Sequence, residues 1–397
     1  MSRRLPAVAV IGGGVIGLAV AWRLARRGVP VVLLERHQPG AGASSAAAGM
    51  LSPLKEAGEP GPFLDLGLRS LARYPEFVRE VESCAGMEVG YRRDGRLDLA
   101  FTDDAVEALR HQRLLQEEAG HESRLLDPAE LRRLEPGVAD DVRLGLATEL
   151  DHQVDNARLV RALWLAAERE GVEIRTAAGA AAVLTGAPEG PDGAARPDEP
   201  GAARPARSDE SLAPVTGVRL DSGDVVPADA VVVAAGAWTG GLALPRPIPI
   251  RPVRGQIVVL RMVPPAPRRV TWGPGCYLVP RCDGRLLVGA TMEEAGFAIA
   301  STAGATRSLL DCAIRVLPSL ADARLEGFQV GLRPASRDGF PVIGADPATP
   351  GLFFATGHFR NGILLAPETA EMVAAELLDG RAADTAFSPA RFGAAGA

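Results

Sequence analysis

The chain has 397 residues with a formal net charge of -6 at pH 7, and 47% of its residues are hydrophobic. This length allows a sizeable core in two domains or in one interleaved domain. The acidic balance argues against nucleic acid or an anionic membrane as the main partner, and 5 scattered histidines form no cluster with metal-ligand spacing. The 4 cysteines form no CxxC pair, which predicts reduced thiols in a cytoplasmic protein.

Residues 8–36 begin with a β-branched apolar strand that runs into closely spaced glycines. A basic start before an apolar run also occurs in secretion signals, but interior glycines are costly in a helix and the run is shorter than a membrane span. A nucleotide-binding turn accounts for the glycines: Gly12 allows the turn, Gly14 lets backbone approach a pyrophosphate, and Gly17 lets the helix lie close to the strand. The next strand ends at Glu35, where a ribose would lie. This pattern predicts a dinucleotide site and leaves FAD and NAD open.

The next elements along the chain follow from hydrophobic spacing and turn residues. Apolar periodicity predicts helices over 65–83 and 104–119. Between them, Asp94–Gly95 predicts the turn of a β-hairpin. Asp155 or Asn156 is expected to cap a further helix, which returns the chain to the first sheet.

Residues 186–214 consist mostly of proline, glycine, alanine and charged residues. Such a segment cannot bury enough apolar surface to offset the entropy lost on ordering. We therefore expect a disordered hairpin tip between strands at 181–184 and 215–220, with a partner-binding arm as the alternative.

The second half of the chain contains the signals of a second sheet. The alternating stretches "RGQIVVLRM", "CYLVPR" and "GRLLVGATMEEAGF" predict antiparallel strands with one face over a cavity. A strand over 352–356 then precedes a glycine-containing loop and a helix from about Gly362, whose N-terminus suits a second part of the ligand. The sequence thus predicts an α/β fold, in which a Rossmann-like domain is interleaved with an antiparallel-sheet substrate domain.

Several motifs carry a family resemblance: the glycine fingerprint, "SSAAAGML", "VVVAAGAW", "GLRPASRDGFPVIG" and "GHFRNGILLAP". Together they resemble the D-amino-acid oxidase superfamily of FAD-dependent oxidoreductases. "DHQVDNARLVRAL" and "GATMEEAGF" resemble its glycine oxidase branch, which serves thiamine biosynthesis. The resemblance covers nearly the whole chain except 186–214, and it implies FAD as the cofactor. "GLRPASRDG" contains no cysteine at the place where related sarcosine oxidases attach flavin, so non-covalent FAD is expected.

The resemblance also implies which residues hold the cofactor. The ADP half is assigned to Gly12, Gly14, Val15, Ile16, Gly17, Glu35 and Arg36. The pyrophosphate and flavin are assigned to Ala43, Ser44, Ala48, Gly49 and Met50, and the adenine to the backbone of Val183. The pyrimidine end of the flavin is assigned to His358, Phe359, Arg360, Asn361, Gly362, Ile363 and Leu364. A helix N-terminus at this end stabilises the negative charge of a reduced flavin.

For the substrate, the resemblance points to four side chains. Arg333 is expected to clamp a carboxylate, because a planar guanidinium forms two parallel hydrogen bonds with it. Tyr277 is expected to reach the same carboxylate, and Met292 to line the pocket. Arg360 either contacts the substrate or supports the cofactor loop. No metal ligand and no catalytic acid or base is implied, because hydride transfer from a neutral amine to flavin requires orientation and a dry site.

The activity implied is the oxidation of glycine or another small amino acid by dioxygen, which yields an imine and hydrogen peroxide. Water then converts the imine into a 2-oxo acid and ammonia. A D-amino-acid or sarcosine oxidase or dehydrogenase, or a non-catalytic flavin-binding subunit, is the alternative, and assembly into a homo-oligomer stays open. The expected FAD-binding domain comprises residues 1–85, 151–245 and 326–397, and the expected substrate domain comprises 86–150 and 246–325.

Overall fold

The computed structural model of the chain describes residues 5–186, 213–262 and 267–393. The strands of these residues are β1 (Val8–Ile11), β2 (Val31–Leu34), β3 (Met50–Leu51), β4 (Arg96–Ala100), β5 (Arg124–Leu126), β6 (Leu144–Thr148), β7 (His152–Gln153), β8 (Glu173–Arg175), β9 (Ala180–Thr185), β10 (Val215–Leu220), β11 (Val225–Pro227), β12 (Ala230–Val233), β13 (Ile250–Arg261), β14 (Val270–Gly273), β15 (Cys276–Pro280), β16 (Arg285–Gly289), β17 (Arg324–Ser336), β18 (Val342–Ala345) and β19 (Leu352–Thr356). The α-helices are α1 (Val15–Arg26), α2 (Pro53–Ala57), α3 (Pro62–Ala85), α4 (Asp103–Glu118), α5 (Pro128–Leu134), α6 (Asn156–Arg169), α7 (Ala303–Val316) and α8 (Gly362–Asp379).

A six-stranded sheet in the order β18-β19-β12-β1-β2-β8 forms the dinucleotide-binding part of the fold. Its strands are parallel except β18, which pairs antiparallel with β19. β1 is buried on both faces because its apolar side chains alternate between two cores. Val8 and Val10 pack beneath α1, α3, α6 and α8, whereas Ala9 and Ile11 pack against the three-stranded sheet β11-β10-β9. The predicted Rossmann-like arrangement is confirmed.

Two glycines allow α1 to lie directly against β1. Gly12 has a φ of +107°, and a Cβ there would lie 2.5 Å from the carbonyl oxygen of Ala234. A Cβ on Gly17 would lie 1.9 Å from the carbonyl oxygen of Gly12. Both positions therefore exclude any larger residue, and the turn and the close helix–strand contact predicted from the fingerprint are present.

An eight-stranded sheet in the order β17-β13-β16-β15-β14-β4-β6-β5 forms the second layer. Its strands are antiparallel to their neighbours except for the parallel pair of β14 and β4. They come from two separated parts of the chain, 96–148 and 250–336, so the two sheets are interleaved in sequence. β17 runs across the domain boundary expected at 325/326, and the domain limits stay a prediction.

The hairpin predicted around Asp94–Gly95 is wrong. β4 follows this turn, but it pairs with β6 and β14, and the segment before it forms only an isolated bridge between Arg92 and Gln153. The reason is that a local turn signal does not select a strand's partner. β4 is buried along its whole length, and its polar side chains form ion pairs inside the protein.

The prediction of reduced thiols is wrong for one pair of cysteines. Cys276 on β15 and Cys312 on α7 form a disulfide, with Cα atoms 6.2 Å apart, whereas Cys84 and Cys282 are free. α7 packs against β15 and thereby brings together two residues separated by 36 positions. Cysteine spacing alone could not reveal this proximity.

The strands expected on either side of the proline- and glycine-rich segment are confirmed as β9 and β10. They pair antiparallel, and the Gly186 N–H donates to the Pro214 carbonyl at 3.1 Å. The predicted disordered tip itself lies outside the described residues, apart from its first and last positions. Over the described ranges, we find no α-helix with the length and apolarity needed to cross a bilayer.

Candidate active site

A cavity of about 600 Å³ lies between the two sheets. The glycine turn after β1, the end of β2 and the start of α8 contribute to its walls on one side. Strands β13, β15, β16 and β17 contribute on the other, and the segment 40–50 lines it as well. The predicted dinucleotide turn and the predicted substrate residues therefore line the same cavity.

At the first end of the cavity, side chains fix the turn before α1. The Glu35 carboxylate accepts hydrogen bonds from the N–H groups of Gly13 at 2.7 Å and His37 at 2.8 Å. The Ser44 hydroxyl oxygen accepts from the Val15 N–H at 2.9 Å. Gly14 is the extended N-cap residue of α1, and α1 has no acidic residue in its first turn. The positive end of the α1 dipole thus faces the cavity without a protein anion on its own first turn.

At the second end, a tight loop leads from β19 into α8. Phe359 has a φ of +50°, and its N–H donates to the Pro334 carbonyl at 2.9 Å. Burial lowers the pKa of His358 to about 3, and its Nε2 lies 3.0 Å from the Thr369 hydroxyl. His358 is therefore a neutral, hydrogen-bonded loop residue. Asn361 caps α8 without a side-chain hydrogen bond, so a second helix N-terminus points at the cavity.

Most of the residues predicted to hold the cofactor lie around this cavity. Those that line it are Gly12, Gly14, Val15, Ile16, Glu35, Arg36, Ala43, Ser44, Ala48, Gly49, Met50, His358, Phe359, Arg360, Gly362 and Ile363. Those that do not are Gly17, Val183, Asn361 and Leu364. Gly17 acts through its contact with Gly12, and the Leu364 carbonyl accepts a hydrogen bond from Ser70 of α3.

The structure does not bring Val183 to the cavity. Its N–H donates to the Ala243 carbonyl at 3.0 Å, and the residue pairs with Val218 of β10. Gly179 and Ala180, at the start of β9, line the cavity instead. Only this end of the strand reaches the cavity, and the assignment of the adenine to the backbone of Val183 stays a prediction.

Arg333 projects from β17 across the neighbouring strand β13. Its guanidinium lies over Gly255, where a Cβ would approach Cζ to 2.3 Å. Nη1 donates to the carbonyls of Thr291 at 2.9 Å and Arg254 at 3.3 Å. Burial lowers the pKa of Arg333, and no carboxylate of the described residues forms an ion pair with it within 4.0 Å. A positive charge without a protein counter-ion therefore faces the cavity.

Tyr277 lies on β15 at the same wall. It is 9% exposed, and a Cβ on Gly289 of the neighbouring strand would lie 2.5 Å from its hydroxyl oxygen. Burial raises its pKa to about 12, so the phenol keeps its proton at neutral pH. Its ring packs edge-on against Trp272 at a centroid distance of 5.1 Å. Tyr277 can thus donate one hydrogen bond to an anion bound near Arg333.

Arg360 has a partner that sequence reasoning missed. Its Nε donates to the carboxylate of Glu56, which projects from the short helix α2 and lines the cavity. The Arg360 side chain is 44% exposed and that of Glu56 is 8% exposed. The sequence contained one signal for this partner. Glu56 is an acidic residue shortly after "SSAAAGML", in the first helix that follows the predicted flavin loop. Met292 also lines the cavity but is 66% exposed, at its mouth.

This fold and cavity define a dinucleotide-binding α/β protein with a cationic site beside the nucleotide cradle. The family model of the FAD dependent oxidoreductases (DAO) matches residues 7–376. The chain belongs to this family, which confirms the predicted resemblance and makes FAD, not NAD, the cofactor on which the family depends.

Similar proteins and a similar crystal structure support this assignment. The chain is 39% identical to the bifunctional protein ThiO/ThiG of Synechocystis sp., over 97% of this chain and 54% of that protein. It is 34% identical to the glycine oxidase of Geobacillus kaustophilus, over 97% and 95% of the two chains. The crystal structure of glycine oxidase from Geobacillus kaustophilus superposes with a TM-score of 0.85, at 31% identity and 99% coverage of both chains. The chain spans about half the length of the bifunctional relatives that it matches.

Proposed function

We propose that this chain is an FAD-dependent oxidase of glycine or another small amino acid. The observation that carries the proposal is Arg333, a partly buried guanidinium that has no carboxylate partner among the described residues, on the cavity that the glycine turn also lines. A cation in this position favours an anionic ligand, and the planar guanidinium can form two parallel hydrogen bonds with a small carboxylate. The similarity to glycine oxidases and to ThiO/ThiG proteins supports an amino acid as that ligand and a role in thiazole formation.

The residues at the two ends of the cavity fit FAD. The backbone of Gly14 lines the cavity and is available to a pyrophosphate, and the Glu35 carboxylate can accept hydrogen bonds from ribose hydroxyl groups. The start of α8 provides a second set of N–H groups. When bound, FAD supplies the two-electron oxidation of the amine and passes the electrons to dioxygen.

The chain's own residues position the substrate. Arg333 binds the carboxylate and thereby fixes the direction of the Cα–H bond, and the Tyr277 hydroxyl donates to the same carboxylate. Apolar and small side chains form much of the cavity wall and thereby reduce the contact of the reacting carbon with water. Tyr277 stays protonated and His358 is engaged with Thr369, so neither acts as a general base. The imine product leaves the cavity and is hydrolysed to a 2-oxo acid and ammonia.

The purified protein should contain FAD that is not covalently attached. We expect a yellow protein from which acid or heat releases all of the flavin into the supernatant. The stretch 331–344 contains no cysteine, and Cys276 on the cavity wall is joined to Cys312. Absorbance of the supernatant and of the redissolved precipitate measures the partition. Flavin that stays with the precipitated chain would contradict this expectation.

The activity is tested by peroxide and ammonia release with glycine, sarcosine, D-alanine and D-proline under air. We expect peroxide release with glycine or another of these small amino acids. An equal amount of ammonia should accompany the peroxide for glycine and D-alanine only, because sarcosine releases methylamine and the nitrogen of D-proline stays in a cyclic imine. Flavin that is reduced by the amine but reoxidised only by an added electron acceptor would indicate a dehydrogenase. Flavin that no amine of the panel reduces would support a non-catalytic binding subunit.

A further inference from the structure

Two arginines and one glutamate give the substrate end of the cavity its charge. Arg333 has no carboxylate partner among the described residues, whereas Arg360 is paired with Glu56. All three residues line the cavity. The sum of these three charges is one positive unit, which matches a substrate with a single carboxylate.

Glu56 is held in place by the residue that precedes it. Lys55, the only lysine of the chain, donates from Nζ to Asp98 of β4 at 2.7 Å. Asp98 is 3% exposed and also accepts from Arg96 at 2.8 Å. α2 is therefore anchored to the eight-stranded sheet through Lys55, while its next residue reaches the loop that precedes α8. The Glu56 carboxylate is thus held over the cavity at 8% exposure.

The charges of Glu56 and Arg360 act on the two residues expected to hold the substrate. Burial is the main cause of the raised pKa of Tyr277, and the Glu56 carboxylate adds to it. Burial is also the main cause of the lowered pKa of Arg333, which the charge of Arg360 lowers further and that of Glu56 opposes. The four groups therefore share one partly desolvated environment, in which unpaired charges interact strongly.

Resting on the function proposed above, we propose that Glu56 determines the substrate range of the site by neutralising Arg360. The site then admits amino acids and N-alkyl glycines with one carboxylate, and it discriminates against imino- and aminodicarboxylic acids.

Glu56 disfavours a second substrate carboxylate in two ways: it repels that carboxylate, and it neutralises the cation that could bind it. A second carboxylate would approach the Glu56 carboxylate, and like charges repel strongly where water is partly excluded. The guanidinium that could bind this second carboxylate already donates through Nε to Glu56, which neutralises its charge. Without the Glu56 charge, Arg360 becomes available and the repulsion disappears.

The test compares two substrates that differ by one carboxylate, sarcosine and iminodiacetate. In Glu56→Gln, the ratio of kcat/KM for iminodiacetate to that for sarcosine should rise by about tenfold or more. In Arg360→Gln, Glu56 keeps its charge without a partner, so the same ratio should fall. The double variant should lie between the two single variants. Glu59→Gln, which removes an exposed acid three residues from Glu56, is the matched control and should leave the ratio unchanged.

A binding experiment provides a second readout that does not depend on turnover. Methoxyacetate and diglycolate differ in the same way as the two substrates but carry an ether oxygen instead of the amine. Their dissociation constants can be followed through the visible spectrum of bound FAD. Diglycolate should gain affinity relative to methoxyacetate in Glu56→Gln and lose it in Arg360→Gln.

The results separate this inference from the proposed function. If the wild-type protein oxidises no amine, the proposed function fails, and the binding ratios still decide the role of Glu56. If Glu56→Gln retains FAD and leaves both ratios unchanged, Glu56 does not set the specificity. If it loses sarcosine turnover by about a hundredfold with an unchanged ratio, Glu56 binds the substrate amine, and the inference is overturned.

Discussion

Replacing Arg333 with alanine should lower kcat/KM for glycine by about 1.5 to 3.5 decades while FAD stays bound. The substrate carboxylate would enter a partly desolvated cavity without its cation, and the loss of one partner of such a pair costs about 2–5 kcal/mol. FAD content should not change, because the Arg333 side chain donates to the carbonyls of Arg254 and Thr291, neither of which belongs to the predicted cofactor residues. Steady-state peroxide release and the ratio of flavin to protein absorbance measure the two quantities.

Two further variants make this result specific. Arg333→Lys should recover only part of the activity, because an ammonium keeps the charge but lacks the planar fork. Arg337→Ala removes an exposed arginine just beyond β17 and should behave like the wild type. Glycine turnover close to normal in Arg333→Ala would remove Arg333 from the substrate site, and loss of bound FAD would assign it to the cofactor.

Replacing Arg96 with glutamine should lower the free energy of unfolding by about 3–5 kcal/mol. Arg96 is fully buried, and it donates to Asp98 at 2.8 Å and to Asp151 at 2.6 Å. Asp98 keeps Lys55 as a partner, but Asp151 would be left as a buried charge without a cation. The melting temperature and urea unfolding, followed by circular dichroism, measure the loss.

The loss of unfolding free energy in Arg96→Gln is expected to depend on pH. Burial raises the pKa of Asp151 above its ordinary value even beside Arg96, so protonation of Asp151 is easier in the folded than in the unfolded protein. A group of this kind contributes stability below its folded pKa and loses that contribution as the pH rises through it. Without Arg96 the effect grows, so the destabilisation should be smaller at about pH 5 than at about pH 8.

A surface pair provides the control for Arg96. Arg110 and Glu107 form an ion pair on α4 in which the side chains are 56% and 70% exposed. Arg110→Gln should change the stability by less than about 1 kcal/mol, because exposed pairs are well solvated in both states. Equal losses in the two variants would show that the buried cluster contributes no more than a surface pair.

Features of the chain that depend on neighbouring residues were predictable from sequence. The strands Val8–Ile11 and Leu352–Thr356 and the start of α8 at Gly362 follow the pattern of apolar residues and glycines, and the structure has the same bounds. The structure also brings Arg333, Tyr277 and most of the predicted cofactor residues to one cavity, although their binding roles stay predictions.

Features that depend on partners far apart in sequence were not predictable. Glu56 and Arg360 are separated by 304 positions, and neither residue carries a local signal of the other. The same holds for Cys276 and Cys312, and for the pairing of β4 with β6 instead of an adjacent strand. Each of these contacts is set by how the two sheets and α7 pack, which hydrophobic periodicity does not encode.

The position of β19 and α8 has a consequence for the biosynthesis of the protein. β19 pairs with β12, α8 packs against α1, and the loop between β19 and α8 lines the same cavity as the glycine turn. During translation, the glycine turn therefore emerges from the ribosome long before the residues that complete its binding site. The first sheet and the cavity wall are incomplete until residues 352–379 have been synthesised and have joined the sheet, so apolar side chains of the first sheet stay uncovered during most of translation.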